Sequence, residues 1–114
     1  MKVIRWSEMQ AAPVTEDGAQ NTTIRWLISR ADGAPTFAMR LFELAPDGYT
    51  PQHTHAWEHE VFVLAGQGEV TTAEGPMPFR AGDALFVAPD ELHQFRNTGA
   101  SVMQMICLIP LPKG

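Results

Sequence analysis

Residues 51–70 read PQHTHAWEHEVFVLAGQGEV, and three of the chain's four histidines fall within seven of those positions, at His53, His55 and His59. The fourth, His93, lies in PDELHQFRN, residues 89–97. Alternate residues of a strand project to one side, so His53 and His55 can reach one ion together. Ala56-Trp57-Glu58 leaves room for a turn that folds His59 back onto the same ion. His93 would join from a neighbouring strand, whose start Pro89 restrains. Neutral imidazole is a ligand for Zn, Cu, Fe and Ni. No histidine lies outside these two segments. The four read as one shared metal site or, blandly, as separate surface and hydrogen-bonded rings.

Outward from this stretch the chain is cut into short β-rich runs: 22–30, 36–44, 59–66, 68–74, 83–89, 93–97 and 101–110. The separators carry turn chemistry, among them Asp32-Gly33, Pro46-Asp47-Gly48, Gly66-Gln67-Gly68, Glu74-Gly75-Pro76 and Asn97-Thr98-Gly99. Strands at this spacing predict an all-β sandwich or barrel, with one weak helical turn near Ser7 to Ala12. Parity points Gln104 outward and Met103, Met105 and Cys107 inward. In FAMRLFEL, Arg40 and Phe42 share one face and Met39, Leu41 and Glu43 the other. The pattern does not say which face is inside.

A length of 114 residues suits one domain over 1–114. The formal net charge of −5 and eight dispersed basic residues exclude nucleic acid and anionic membranes as partners. A single cysteine, no signal-like N-terminus and no apolar run of the roughly 20 residues that span a bilayer lead to the expectation of a cytoplasmic protein.

The two histidine segments resemble the paired motifs of the cupin family. The first reads Gly48, then His53-Thr54-His55, then Glu60, then VFVLAGQG; the second reads Gly82, Pro89, His93 and Asn97. The chain departs from the pattern in three places. The first spacer is one residue short, the second proline comes one place late with the inner glycine absent, and Glu60 is preceded by His59. The segment HAWEHEVFVL is similar to a small-cupin subgroup in which the histidine of EHE is the ligand. The resemblance implies a cupin-type β-barrel (a double-stranded β-helix, or jelly roll). It also implies one divalent transition metal, Mn, Fe, Cu, Ni or Zn, held by His53, His55, His59 and His93. Glu60 would then face the other way.

Such a barrel holds a small molecule at its mouth. Candidate pocket residues are Phe95, which shares parity with His93; Arg40 and Phe42, if their face is the inner one; Cys107; and Trp57, as a cap or a packing anchor. No catalytic acid or base stands out. The resemblance favours an oxidoreductase of the dioxygenase kind, with a non-catalytic sensor or storage barrel, or a cupin isomerase or hydrolase, as alternatives. Single-domain cupins commonly pair, so a homodimer is expected, with the N-terminal region 1–30 and Trp6 or Trp26 in the contact.

Overall fold

The alternation in residues 37–44 decides which side of the sheet becomes the interior. Leu41 is buried on one row and Ala38 and Leu44 on the other, but Phe42 and Leu44 join the core cluster and Arg40 and Phe42 line the main cavity, so the face carrying Ala38, Arg40, Phe42 and Leu44 points inward. The structure, a computed structural model, describes residues 1–112. Its strands are β1 (Ala12–Pro13), β2 (Gln20–Ile28), β3 (Phe37–Tyr49), β4 (His59–Ala65), β5 (Gln67–Thr72), β6 (Gly75–Arg80), β7 (Ala84–Val87), β8 (Gln94–Asn97) and β9 (Met103–Pro110). All pairings are antiparallel, and the sheet runs β6-β5-β8-β3-β9-β4-β7 with β2 also paired to β3. Curling of this sheet encloses one apolar cluster, the all-β barrel architecture expected from the turn-punctuated runs.

Strand β9 follows its predicted parity. Met103, Met105 and Cys107 are buried in the core, while Gln104 donates from Nε2 to Glu43 Oε2 on the outer face. From β4, Val61 and Val63 meet them, and β5, β6 and β8 contribute Val70, Phe79 and Phe95. Burying each such side chain contributes about 1.5–3 kcal/mol before conformational entropy is set against it.

One of the expected separators is not a chain reversal. Pro46-Asp47-Gly48 sits inside β3, where Asp47 has φ +65° and the register with β2 slips between Thr22 and Gln20. The turn residues make a bulge that bends one long strand, which keeps β2 on one side through Tyr49 and Gln20 but exchanges β9 for a pairing of Tyr49 with Arg96 on β8. Gly48 suits this bend, because a Cβ there would lie 2.7 Å from the carbonyl oxygen of Asn21. Glu74-Gly75-Pro76 does mark a reversal, with Thr72 opposite Gly75, but Gly75 and Pro76 also open β6, a strand absent from the runs read in the sequence, with prolines at 76 and 78. Proline removes a ladder donor, which an edge strand tolerates, and β6 is the edge.

The helical turn near the N-terminus is a short 3-10 segment over Trp6–Glu8. Arg25 ties it down, donating to the carbonyl oxygens of Met9 at 2.7 Å and Trp6 at 3.4 Å while pairing with Glu43 at 3.0 Å. Among the described residues no helix is long and apolar enough to cross a membrane.

Candidate metal centre

The two histidine segments meet because threonine and glutamine chemistry pins one to the other. Thr50 accepts at Oγ1 from the backbone N–H of Phe95, its own N–H donates to the Phe95 carbonyl, and Gln94 Nε2 donates to the Thr50 carbonyl. Three residues on, His53 and His93 exchange backbone hydrogen bonds of 3.2 and 3.1 Å as an isolated antiparallel bridge. The His55 carbonyl then accepts from Asp90, a residue held in the left-handed region at φ +64°. Asp90 and Glu91 are therefore an exposed turn that closes over the first motif.

One ring nitrogen from each of His53, His55 and His93 comes within 4.8 Å of the other two, a spacing one ion can bridge. His59 stands behind this trio at the start of β4. Its ring centroid is 4.8 Å from that of His55 and 5.1 Å from that of His93. His59 is 5% exposed and faces inward, whereas Glu60, one residue on, is exposed on the outer face. Strand parity separates the two as the EHE pattern implied.

The chemistry of the donor set suits a metal. His93 Nδ1 lies 2.9 Å from the Glu91 carbonyl oxygen, which can only accept, so Nδ1 carries the proton and Nε2 is left with its lone pair. Burial, and then the neighbouring rings, push His55 down to about 4. Burial, followed by the Arg40 guanidinium, pushes His59 down to about 3, and burial also lowers His53. The three rings are thus neutral near pH 7, the form that ligates.

These rings form one wall of a cavity of about 300 Å³. Every pocket residue proposed from the sequence, namely Arg40, Phe42, Trp57, Phe95 and Cys107, lines it. Trp57 stacks on His55 with centroids 4.6 Å apart and rings within 5° of parallel, so it caps the mouth and braces a histidine at once. Arg40 faces this lumen, donating from Nη2 to Cys107 Sγ at 3.1 Å; the same sulfur lies 3.5 Å from His59 Nδ1. Burial pushes the Cys107 thiol up, with Arg40 pulling the other way.

Two lining residues, Val14 and Glu16, come from the segment between β1 and β2 and escaped the sequence reading. Glu16-Asp17-Gly18 reads as ordinary turn chemistry, and nothing local marks it as reaching the barrel mouth. Glu16 is the only carboxylate among the described lining residues.

A curled antiparallel barrel with clustered histidines inside it is the cupin plan. Residues 40–109 match the Cupin_2 family, cupin domain, and the chain belongs to that family. In structure it is similar to the polyketide cyclase RemF from Streptomyces resistomycificus, with a TM-score of 0.91 and 34% identity, covering 96% of this chain and 79% of RemF. Protein SchB of Streptomyces halstedii is 37% identical over 68 residues, 59% of this chain and 49% of SchB. The oxalate-binding protein of Thermotoga maritima is 32% identical over 76 residues, 63% of each chain. The matches thus span about half to two thirds of these two curated relatives.

Proposed function

We propose that this cupin is a metal-dependent cyclase that closes a ring within a poly-β-ketone chain. The observation that carries the reading is a cluster of neutral histidines set into a cavity otherwise walled largely by Phe42, Phe95, Met105 and Trp57. The likeness to RemF, a polyketide cyclase, supports it. His53, His55 and His93, with His59 as the fourth ligand, hold one divalent transition ion, and this donor set accepts Mn, Fe, Cu, Ni or Zn. Four neutral imidazoles leave the ion's charge uncompensated, so it supplies Lewis-acid polarisation of a carbonyl oxygen.

The chain's own residues do the rest. The aromatic and thioether walls hold an extended ketide folded on itself, which makes an intramolecular attack effective, and they keep water out. A carbon–carbon bond forms between a methylene carbon and a carbonyl carbon of the same molecule. The methylene proton passes to Glu16 at the rim, the new oxygen takes up a proton, and loss of water completes the ring. No electrons leave the substrate, so no oxidant is required. A dioxygenase acting on the same enolisable substrate would use the same pocket but consume dioxygen.

One assay separates the readings. Metal-loaded protein is given a short synthetic trioxo thioester, and product mass and dissolved oxygen are followed together. Loss of one water without oxygen uptake supports the cyclase. Oxygen uptake with an oxygenated product replaces it by the dioxygenase. Saturable binding with neither change leaves a sensor or storage barrel.

We also propose that a second copy of the chain packs on the outer face of β4 and β7. Phe62, Leu64 and Phe86 are 47%, 47% and 62% exposed there, beside an outer hollow lined by Met39, Ile106 and Leu108.

A further inference from the structure

Arg40 brings into the cavity a charge that the fold leaves unanswered. Its guanidinium lies over two aromatic rings, with Cζ 5.5 Å from the Trp26 centroid and 4.9 Å from that of Phe42. Nη2 donates to the sulfur of Cys107, while Nε is buried with no hydrogen-bond partner. Among the described residues the ion pairs are Lys2–Asp32, Arg5–Glu8 and Arg25–Glu43, and none includes Arg40. The contrast with Arg25 is instructive. That residue is tied to a carboxylate and two carbonyl oxygens, whereas Arg40, on the cavity wall, meets a thiol.

Arginine cannot shed its proton, and a thiol sulfur is a weak acceptor. With Nε shut off from water and unpartnered, part of the cost of holding this charge in the fold stays uncompensated until an anion arrives. The four imidazoles beside it bring no negative charge, and Glu16 is exposed at the rim. The inner half of the cavity is therefore electropositive before any ion is bound. The two rings also hold the guanidinium in place, so little freedom is lost when a planar anion docks on it.

We propose that Arg40, clamped by Trp26 and Phe42, is an anion subsite beside the histidine cluster that selects a conjugated ligand carrying a carboxylate or enolate oxygen. This deepens the reading of the pocket as one for an enolisable ketide and rests on it for the ligand class. The subsite itself requires neither metal nor turnover.

The test uses metal-free protein. Wild type, Arg40→Gln and Arg40→Lys are titrated calorimetrically with benzoate, with the enolate of 1-phenylbutane-1,3-dione, and with neutral benzyl alcohol. At least one anion binds wild type about tenfold more tightly than the alcohol, and which one does so tells carboxylate from enolate. Arg40→Gln loses that preference, and Arg40→Lys keeps part of it because the charge remains. The subsite is overturned if Arg40→Gln binds the anions within about twofold of wild type, or if the alcohol matches both anions in wild type. Should neither variant fold by circular dichroism, the wild-type comparison of anion with alcohol decides alone. A failed cyclase assay leaves this result standing, and loss of anion preference leaves the cyclase assay standing.

Discussion

His53 and His93, 40 residues apart in sequence, donate backbone hydrogen bonds to each other's carbonyls and set their rings 5.0 Å apart between centroids. The juxtaposition of the two motifs is thus made by main chain, with Thr50 and Gln94 holding the register just before it. A site assembled by backbone pairing is organised before an ion arrives.

Metal retention separates the two halves of the His59-Glu60 pair. His59→Ala lowers metal affinity by at least an order of magnitude, since losing a ligand costs more than the roughly 10–100-fold lost with a residue that only orients one. Glu60→Gln, on the outer face, leaves metal content unchanged. Elemental analysis after dialysis against a graded chelator series measures both, and equal retention in the two variants removes His59 from the ligand set.

Stability of the metal-free protein depends on pH with a definite sign. His55 and His59 take up protons only near pH 4 and 3 in the fold, against an ordinary value of 6.5 when unfolded. Between those limits the unfolded chain binds more protons, so stability rises with pH. Melting temperature should therefore climb from about pH 4 to about pH 6.5 and then level off as far as these groups are concerned. A flat profile across that window, measured by scanning calorimetry, would contradict the burial of the rings.

Asn97 holds the β8–β9 corner. Its Nδ2 donates to the carbonyls of Leu44 and Ser101, and its Oδ1 accepts from the Gly99 N–H. Replacement by alanine leaves buried partners unmet, costing about 2–3 kcal/mol and lowering the melting temperature by ~10 °C. Urea denaturation checks the magnitude. A loss below about 0.5 kcal/mol would place these bonds in competition with water.

The outer apolar face predicts the mass of the particle in solution. Light scattering on wild type gives a dimer, and Phe62→Glu with Phe86→Glu gives a monomer that keeps its circular dichroism. A dimer that survives both charges moves the contact elsewhere, to the N-terminal region around Trp6 and Trp26.

Most of the barrel could be read from the chain because its signals are local. Alternation in residues 59–65 and 103–110 and the glycine-bearing turns each depend on a few adjacent residues. What stayed hidden depends on residues far apart. Pro46-Asp47-Gly48 looks like a reversal until β2 and β8 are seen to hold both sides of it. The prolines of β6 argue against a strand until the strand proves to be an edge. The histidines declared themselves by type and spacing, whereas Glu16 reaches the cavity through a turn whose sequence resembles any other. Arg40 had an even choice of faces, decided only when the buried row of β3 proved to be its own.

The near-parallel stack of Trp57 on His55 makes the protein its own optical sensor. An indole's emission falls when a neighbour drains its excitation energy, and this one leans on a ring whose electrons shift when it coordinates. Loading an ion should change the emission of the native chain with no label attached, and Trp57→Phe should erase that change while leaving Trp6 and Trp26 glowing as before.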